Sequence, residues 1–372
     1  MIKLTSFRTG SRQNRWRDLI FACIALSPLA AVAQQYQETD LVANSSQPGV
    51  TTVDPNLVDP WGIARSSTGP WWVSDHGKGV STIYNGSGQA APPVLVTIPS
   101  AGHAPAGSPT GIVFNGSSDF QVESGKPGIF IFATFDGTIA AWNPQVNATV
   151  AIQKVKATPG SVLTGATIAQ NRGSGFLYVT DVHEGKVRIF DTNFNPVKPD
   201  ANAFDDDQLP AKFVPFNIQN IGGNLYVAFA MQNEAKNFVT FGSKLGAVDV
   251  FTPEGKLVRR LERGSWFNAP WGLVLAPTDF GTFSHSILVG QFGGGQIAAF
   301  DAVTGSFQGT LQDQNGNVIS HPGIWALAFG AGNTNSGAAN QLFFDVGTNQ
   351  GMGGLFGFFA PVAADLTQGN DQ

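Results

Sequence analysis

The chain has 372 residues, a formal net charge of −5, 45 glycines, 29 phenylalanines and a single cysteine, Cys23. The negative charge argues against nucleic acid or an anionic membrane surface as a partner, and one cysteine excludes an intramolecular disulfide. Many glycines and aromatic residues with few charges are typical of all-β repeat proteins built from short buried strands.

The first 33 residues have the pattern of a secretory signal peptide. Five basic residues precede an apolar run from Leu19 to Val32, and Ala31-Val32-Ala33 fits the small-residue cleavage site before Gln34. The run is short for a membrane span. We therefore expect export by a Sec-type signal peptide to the periplasm or the extracellular space, with no membrane span in the mature chain; the alternative is an uncleaved membrane anchor.

Six units with the same order of strand signals follow, at intervals of about fifty residues. Each has an apolar strand, often marked by Pro and Gly, then a second apolar strand, then a glycine turn into a third. A fixed period made only of strands predicts a propeller whose blades bury their faces against each other. The first strands of the six units start near Pro60, Pro109, Gly165, Pro215, Pro270 and Gly323.

The sixth unit lacks a fourth strand, while Thr39-Asp40-Leu41-Val42 forms a strand signal without a unit of its own. Pairing the two would close the ring and remove an exposed sheet edge. A disordered mature N-terminus is the alternative.

The repeats resemble those of NHL-type six-bladed propellers, which carry P-x-G-I, an apolar strand ending in V-A-D, and G-x-[IV]-x-x-F-D. The matching segments include Pro60-Trp61-Gly62-Ile63, Trp72-Val73-Ser74-Asp75 and Gly185 to Asp191. The Asp59-Pro60-Trp61-Gly62-Ile63 opening also resembles a family of secreted bacterial propellers of unknown function. Some of its members carry a C-terminal PEP-CTERM sorting signal, which we do not recognise here.

The resemblance implies an all-β fold, a six-bladed β-propeller of four-stranded antiparallel blades closed by an N-terminal strand. The expected domains are a signal peptide at 1–33, a single propeller at 34–362 and a polar tail at 363–372.

Four histidines fall in loops expected on one face of the disc. His76 and His183 follow second strands, whereas His103 and His321 precede first strands. Converging imidazoles suit Zn or Cu, and an open coordination position would activate water or polarise a carbonyl. The resemblance to the amidating-enzyme lyase, an NHL-type propeller with a metal in its channel, adds to this hypothesis. The alternative is four loop histidines bonded to backbone.

Carboxylates and amides near the same face offer a second metal hypothesis. Asp136, Asn268 and Asp345 could form an oxygen-rich Ca²⁺ site with Asp59. This is similar to the lactonase-type six-bladed propellers, although their diagnostic Glu in the first strand is not evident. Asp75 and Asp181, at the V-A-D position, are expected to bond the backbone of the following turn.

Three tryptophans, Trp61, Trp271 and Trp325, recur at equivalent positions in the first strands. They either face the channel, where they and Asn268 would contact a ligand, or pack between blades, which repetition favours. An insertion from Ala230 to Leu245 also breaks the repeat. We expect a secreted binding scaffold that presents one face to a small-molecule, saccharide or protein ligand. The alternative is a metal-dependent hydrolase or lyase, lactonase-like or amidating-lyase-like, with its site in the channel.

Overall fold

A computed structural model describes residues 35–102, 106–156 and 158–362. The candidate signal peptide at 1–33, the polar tail at 363–372 and His103 lie outside these residues. No helix within the described ranges combines the length and the apolar character needed to cross a membrane.

Six antiparallel sheets follow one another along the chain, after two strands that belong to the last sheet. Those two strands are β1 (Tyr36–Ala43) and β2 (Thr52–Val53). Blade one contains β3 (Pro60–Ala64), β4 (Trp71–Asp75), β5 (Val80–Tyr84) and β6 (Ala90–Thr97). Blade two contains β7 (Pro109–Phe114), the hairpin β8 (Gln121–Glu123) and β9 (Lys126–Pro127), then β10 (Phe130–Thr134), β11 (Thr138–Trp142) and β12 (Ile152–Lys156).

The next three blades repeat this meander. Blade three contains β13 (Leu163–Asn171), β14 (Ser174–Asp181), β15 (Lys186–Phe190) and β16 (Pro196–Val197). Blade four contains β17 (Phe213–Ile221), β18 (Asn224–Gln232), β19 (Val239–Thr240), β20 (Gly246–Phe251) and β21 (Leu257–Arg260). Blade five contains β22 (Pro270–Leu275), a 3₁₀ turn (Gly281–Phe283), β23 (Ser286–Gln291), β24 (Ile297–Asp301) and β25 (Phe307–Thr310).

Blade six is completed by the start of the chain. It contains β26 (Ile324–Phe329), β27 (Leu342–Val346), the short turn α1 (Thr348–Gly351) and β28 (Leu355–Pro361). Strand β1 pairs antiparallel with β28, from Tyr36 opposite Pro361 to Ala43 opposite Leu355. This pairing confirms the expected closure of the ring by an N-terminal strand.

The innermost strands form a closed circle, because each contacts the innermost strand of the next blade and β26 contacts β3. The glycine of the repeat permits this close approach. A Cβ at Gly62 would lie 2.5 Å from the carbonyl oxygen of Thr110, and one at Gly272 would lie 2.4 Å from that of Trp325. The six-bladed propeller is thus confirmed, and the repeated glycine has a packing reason.

Between blades, large side chains fill the wedge-shaped gaps. Trp72 of blade one stacks on Phe130 of blade two with ring centroids 4.3 Å apart, and contacts Trp142 at 4.5 Å. Burying such rings is the main source of stability in this architecture.

Candidate ligand site

Aromatic side chains from several blades meet at one end of the central channel. Phe216 of blade four lies 5.8 Å from Trp325 of blade six, and Phe238 of blade four lies 6.1 Å from Trp61 of blade one. Blades one and four stand opposite each other in a ring of six, so the contact between Phe238 and Trp61 crosses the axis. We call the set the aromatic plug. Its members are Trp61, Phe135, Phe216, Phe238, Trp271, Phe292 and Trp325.

Four rings form a stacked row within and beside the plug. His76 lies on Trp61 at 5.0 Å, Trp61 on Trp325 at 3.8 Å, and Trp325 on Phe292 at 4.0 Å, all within 25° of parallel. Both faces of Trp61 and both faces of Trp325 are therefore covered by other rings. Trp271 meets Trp325 edge to face at 5.7 Å. The predicted tryptophans thus lie at the channel and also pack across blade boundaries.

A cleft of about 710 Å³ opens over the plug. Its size falls within the range of pockets that enclose small organic ligands. Phe238, Phe241 and Phe292 form much of its apolar wall, and Asp59 is the only charged residue among the described residues that line it. The other lining residues are Trp61, Gly293, Pro322, Gly323, Trp325, Gly347, Asn349, Gln350 and Gly351. Beneath the plug, a cavity of about 30 Å³ beside Gly62, Gly111 and Gly272 is too small for an organic ligand.

Asp59 sits just before the first strand of blade one with a left-handed backbone, at φ 48°. Its backbone N–H donates to the carbonyl of Gly353 at 2.9 Å. Burial raises the pKa of its carboxyl to about 6, although the nearby indoles of Trp61 and Trp325 act in the opposite direction. Among the described residues, no lysine, arginine or histidine pairs with this carboxylate.

The indole N–H groups of Trp61 and Trp325 make no well-formed hydrogen bond to any described residue. Trp325 Nε1 lies close to Asp59, because a Cβ at Gly347 would be 3.3 Å from that nitrogen and 2.3 Å from Asp59 Oδ1. Buried donors and acceptors normally find partners. The base of the cleft therefore presents a carboxylate beside incompletely bonded N–H groups.

The segment after β27 covers this carboxylate. Asn349 and Gln350 are both left-handed, at φ 50° and 56°, and a Cβ at Gly351 would lie 3.2 Å from Asp59 Oδ2. Non-glycine residues in this region each cost about 1 kcal/mol or more and concentrate at functional sites. Left-handed backbone from blades one and six thus meets at the cleft; at Asp59 it belongs to the repeat, because Ala269, which precedes Pro270 in the same way, has φ 50°.

The insertion of blade four forms the opposite wall. Strand β19 turns back and pairs with the end of β18, Met231 opposite Thr240. Phe238 then reaches the plug, whereas Phe241 contacts Phe292 at 5.7 Å and remains 57% exposed. The sequence pattern identified this insertion but neither phenylalanine; two phenylalanines in a segment that breaks the repeat were the available signal.

Asn268 connects the insertion to blade five. Its Oδ1 accepts from the backbone N–H of Gly242 at 2.6 Å, and its own N–H donates to Gln291 Oε1 at 2.9 Å. The structure therefore places this predicted ligand-face residue behind the cleft wall, where it holds the loop.

Asp345 lies buried near Asp59 but does not line the cleft. Its Oδ1 accepts from the backbone N–H of Ala326 at 2.7 Å, and Oδ2 has no partner among the described residues. Burial raises its pKa to about 8, and the charge of Asp59 contributes. Asp136, the other predicted oxygen ligand, instead accepts from the backbone N–H of Ala101 at 2.7 Å.

The histidines of the metal hypothesis have separate environments. His76 is stacked in the row described above, and burial lowers its pKa to about 4. His183 Nδ1 lies 3.1 Å from the carbonyl of Lys236, and His321 Nε2 lies 2.9 Å from Glu38. Within the described ranges, no three His, Cys, Asp or Glu side chains are grouped so that they could hold a metal.

Asp75 and Asp181, expected to serve the repeat, bond to backbone. Asp75 Oδ2 accepts from Thr82 N–H at 2.9 Å, and Asp181 Oδ1 accepts from Val162 N–H at 3.2 Å while its Oδ2 pairs with Arg188 at 2.7 Å. Asp75 is fully buried, and burial raises its pKa well above the ordinary value.

No protein-family model matches the chain. Among solved structures, virginiamycin B lyase from Staphylococcus aureus superposes with a TM-score of 0.51 at 12% identity, over 88% of this chain and 99% of the lyase. At that identity the likeness shows a shared fold alone.

Two viral proteins are similar in sequence. Uncharacterized protein R648 of Acanthamoeba polyphaga mimivirus is 30% identical over 328 residues, which cover 85% of this chain and 78% of the viral protein. Uncharacterized protein L690 of the same virus is 30% identical over 284 residues, which cover 74% of each chain. The chain therefore belongs to the same family as these two mimivirus proteins.

Proposed function

We propose that the protein is a ligand-binding propeller whose cleft over the aromatic plug takes a small organic molecule. The observation that carries this proposal is the cleft of about 710 Å³, which has apolar walls and a single charged group at its base. An apolar pocket with few polar groups is the common form of a small-molecule site.

The departures from the repeat support this location. The insertion of blade four supplies Phe238 and Phe241, and the left-handed turn after β27 supplies Asn349 and Gln350. Neither feature is needed to build a blade, since the other blades lack both. Extra segments that converge on one cavity favour a role in binding over a role in construction.

The exposure of Phe241 points in the same direction. Its ring is 57% exposed although it stands against the apolar wall of the cleft. Covering apolar surface contributes about 25 cal/mol for each Å² removed from water. A ligand that fills the cleft would cover this ring and gain that free energy.

Tryptophan fluorescence tests the proposal, because Trp61 and Trp325 border the cleft. We expect a ligand found by thermal-shift screening to change this fluorescence. In Phe241→Ala, its affinity should fall about ten-fold, while the free energy of unfolding changes by less than about 0.5 kcal/mol because the side chain is largely exposed.

Val303→Ala is the matched control, since Val303 is 79% exposed in a turn of blade five outside the cleft. This variant should bind like the wild type. Equal affinity of Phe241→Ala and the wild type would contradict the proposed site.

The metal-dependent hydrolase or lyase would need His76, His183 and His321 to act together. Each of these described side chains has a different neighbour: Trp61, the Lys236 carbonyl and Glu38. No specific observation favours this second function over ligand binding.

Export and membership of an NHL-type or secreted bacterial propeller family also belong to the proposal. They are supported by the basic and apolar presequence and by the Pro60-Trp61-Gly62-Ile63 motif. Mass spectrometry of the chain produced in a bacterial host should find Gln34 at the mature N-terminus. An uncleaved chain in the cytoplasm would contradict export.

A further inference from the structure

We infer that the cleft selects organic cations: protonated amines whose ammonium group meets Asp59 and whose apolar body lies against Phe238, Phe241 and Phe292. This inference rests on the proposed function, because it names the chemical class of ligand that the cleft takes.

The unpaired charge of Asp59 is the first step. Within the part of the chain that the structure describes, it is the only charged residue lining the cleft, and no basic side chain pairs with it. A carboxylate removed from water without a counter-ion is costly. A ligand that brings the positive charge would relieve this cost, whereas an anionic ligand would add repulsion from the same group.

The backbone that packs over Asp59 is glycine, so the carboxylate still lines the cleft. Gly347 and Gly351 flank the carboxylate, and a Cβ at either position would lie 2.3 Å and 3.2 Å from its oxygens, respectively. Larger residues here would cover those oxygens. An ammonium N–H donor would form charge-assisted hydrogen bonds with them, which are stronger than bonds from a neutral donor.

The aromatic walls suit the rest of such a ligand. The faces of Trp61 and Trp325 are covered within the stacked row, so these rings do not offer a face to a sugar. Phe241 has an exposed ring that can cover an apolar body and attract a nearby cation through its π system. A ligand with a positive charge at one end and an apolar body at the other would place the charge at Asp59 and the body against the phenylalanine rings.

At neutral pH, Asp59 is negatively charged, whereas its neighbours His76 and Asp345 are mostly uncharged. With a pKa of about 6 it is mostly ionised at pH 7.5. His76, stacked on Trp61, is neutral because burial lowers its pKa to about 4, and Asp345 is largely protonated because burial raises its pKa to about 8. Affinity for an amine should therefore fall as the pH drops through 6.

Three probes of similar shape test the inference by calorimetry on the mature chain: phenethylamine, 2-phenylethanol and phenylacetate. At pH 7.5 we expect the amine to bind at least about ten-fold more tightly than the alcohol, and phenylacetate to bind most weakly. At pH 5 the preference for the amine should shrink because Asp59 becomes protonated.

Asp59→Asn is the decisive variant, because asparagine tolerates the left-handed backbone at this position and keeps the size of the side chain. It should bind amine and alcohol equally, with the affinity for the alcohol within about three-fold of the wild type. Asp205→Asn, which removes the same charge from an exposed loop, should keep the preference for the amine.

The outcomes separate the two proposals. Equal binding of amine and alcohol by the wild type, or an unchanged preference in Asp59→Asn, would overturn the selection of cations and leave the ligand cleft standing. If none of the probes binds, and screening finds no ligand that alters tryptophan fluorescence, both the selection and the proposed function fail.

Discussion

Blades two and three differ from blades one and six at the same position of the repeat. Blades two and three carry Thr110 and Thr164 where blades one and six carry Trp61 and Trp325. Thr110 Oγ1 donates to the carbonyl of Leu163 at 2.8 Å, and Thr164 Oγ1 donates to that of Phe216 at 2.7 Å. The threonines join neighbouring blades, whereas the indole N–H groups have no well-formed partner among the described residues.

The ends of the second strands show the same contrast. In blade two, Thr134 Oγ1 accepts from Thr138 N–H at 2.8 Å, and in blade three Asp181 pairs with Arg188. Asp75 and Asp345, in blades one and six, are fully buried and each has one oxygen without a partner among the described residues. At these two positions, blades two and three satisfy their polar groups within the repeat, whereas blades one and six, beside the cleft, do not. Unpaired buried polar groups lower stability, so this difference indicates that blades one and six are less stable beside the cleft, where a binding site would lie.

The largest expected effect comes from removing the ring at the centre of the stacked row. Trp325 is 1% exposed and contacts Trp61 and Phe292 at 4.0 Å or less. Trp325→Ala should lower the free energy of unfolding by about 3–5 kcal/mol, as measured by guanidinium denaturation. Trp266→Ala, which removes a partly buried ring stacked on Phe307, is the control. A larger loss in the control would show that the plug is not the more critical cluster.

Asp345→Asn should flatten the dependence of stability on pH. The folded protein raises the pKa of Asp345 from 3.8 to about 8, so the contribution of this group is complete below pH 4 and is lost as the pH rises through 8. Urea unfolding at pH 5 and pH 9 should show a smaller decrease in stability for the variant than for the wild type. Burial also raises the pKa of Asp75, so part of the decrease in stability between pH 5 and pH 9 should persist in the Asp345→Asn variant. An unchanged decrease would mean that Asp345 is ionised in the folded protein at both pH values.

The smallest expected effect concerns blades two and three, where threonines join neighbouring blades. Thr164→Val removes the buried hydroxyl that bonds to Phe216 and keeps the shape of the side chain. We expect a loss of about 1 kcal/mol in the free energy of unfolding, because the Phe216 carbonyl keeps only the longer bond from Thr180 Oγ1, at 3.3 Å. Thr240→Val, at an exposed threonine, should be nearly neutral. If both variants changed the free energy of unfolding equally, the threonine bond would not distinguish blades two and three from blades one and six.

The fold could be predicted because its signals are local and repeated. Short apolar strands and turn glycines specify each blade, and Pro-Trp-Gly motifs mark blades one and five. The unassigned strand at Thr39 to Val42 was enough to predict the pairing with β28.

The site was only partly predictable, because it depends on how loops from distant blades meet. Sequence patterns identified Trp61 and Trp325 as candidates but not the stacking that covers their faces. The left-handed turn at Asn349 and Gln350 involves residue types that do not signal it strongly. His76 and His321 share a predicted face, yet one stacks in the aromatic row and the other bonds to Glu38.

The pairing of β1 with β28 places the seam of the ring inside blade six, whose outer strand comes from the start of the chain. Asn44 Oδ1 accepts from the backbone N–H of Gly354, 310 positions later in the chain, so the circle is completed only after nearly all of the protein has been made. The cleft is shared by the first and last blades, because Asp59 leads into blade one whereas Trp325 and Gly351 belong to blade six. Its lining is therefore complete only when the two ends of the ring have come together. A ligand bound in this cleft would contact both the first and the last blade and would therefore stabilise the closed ring.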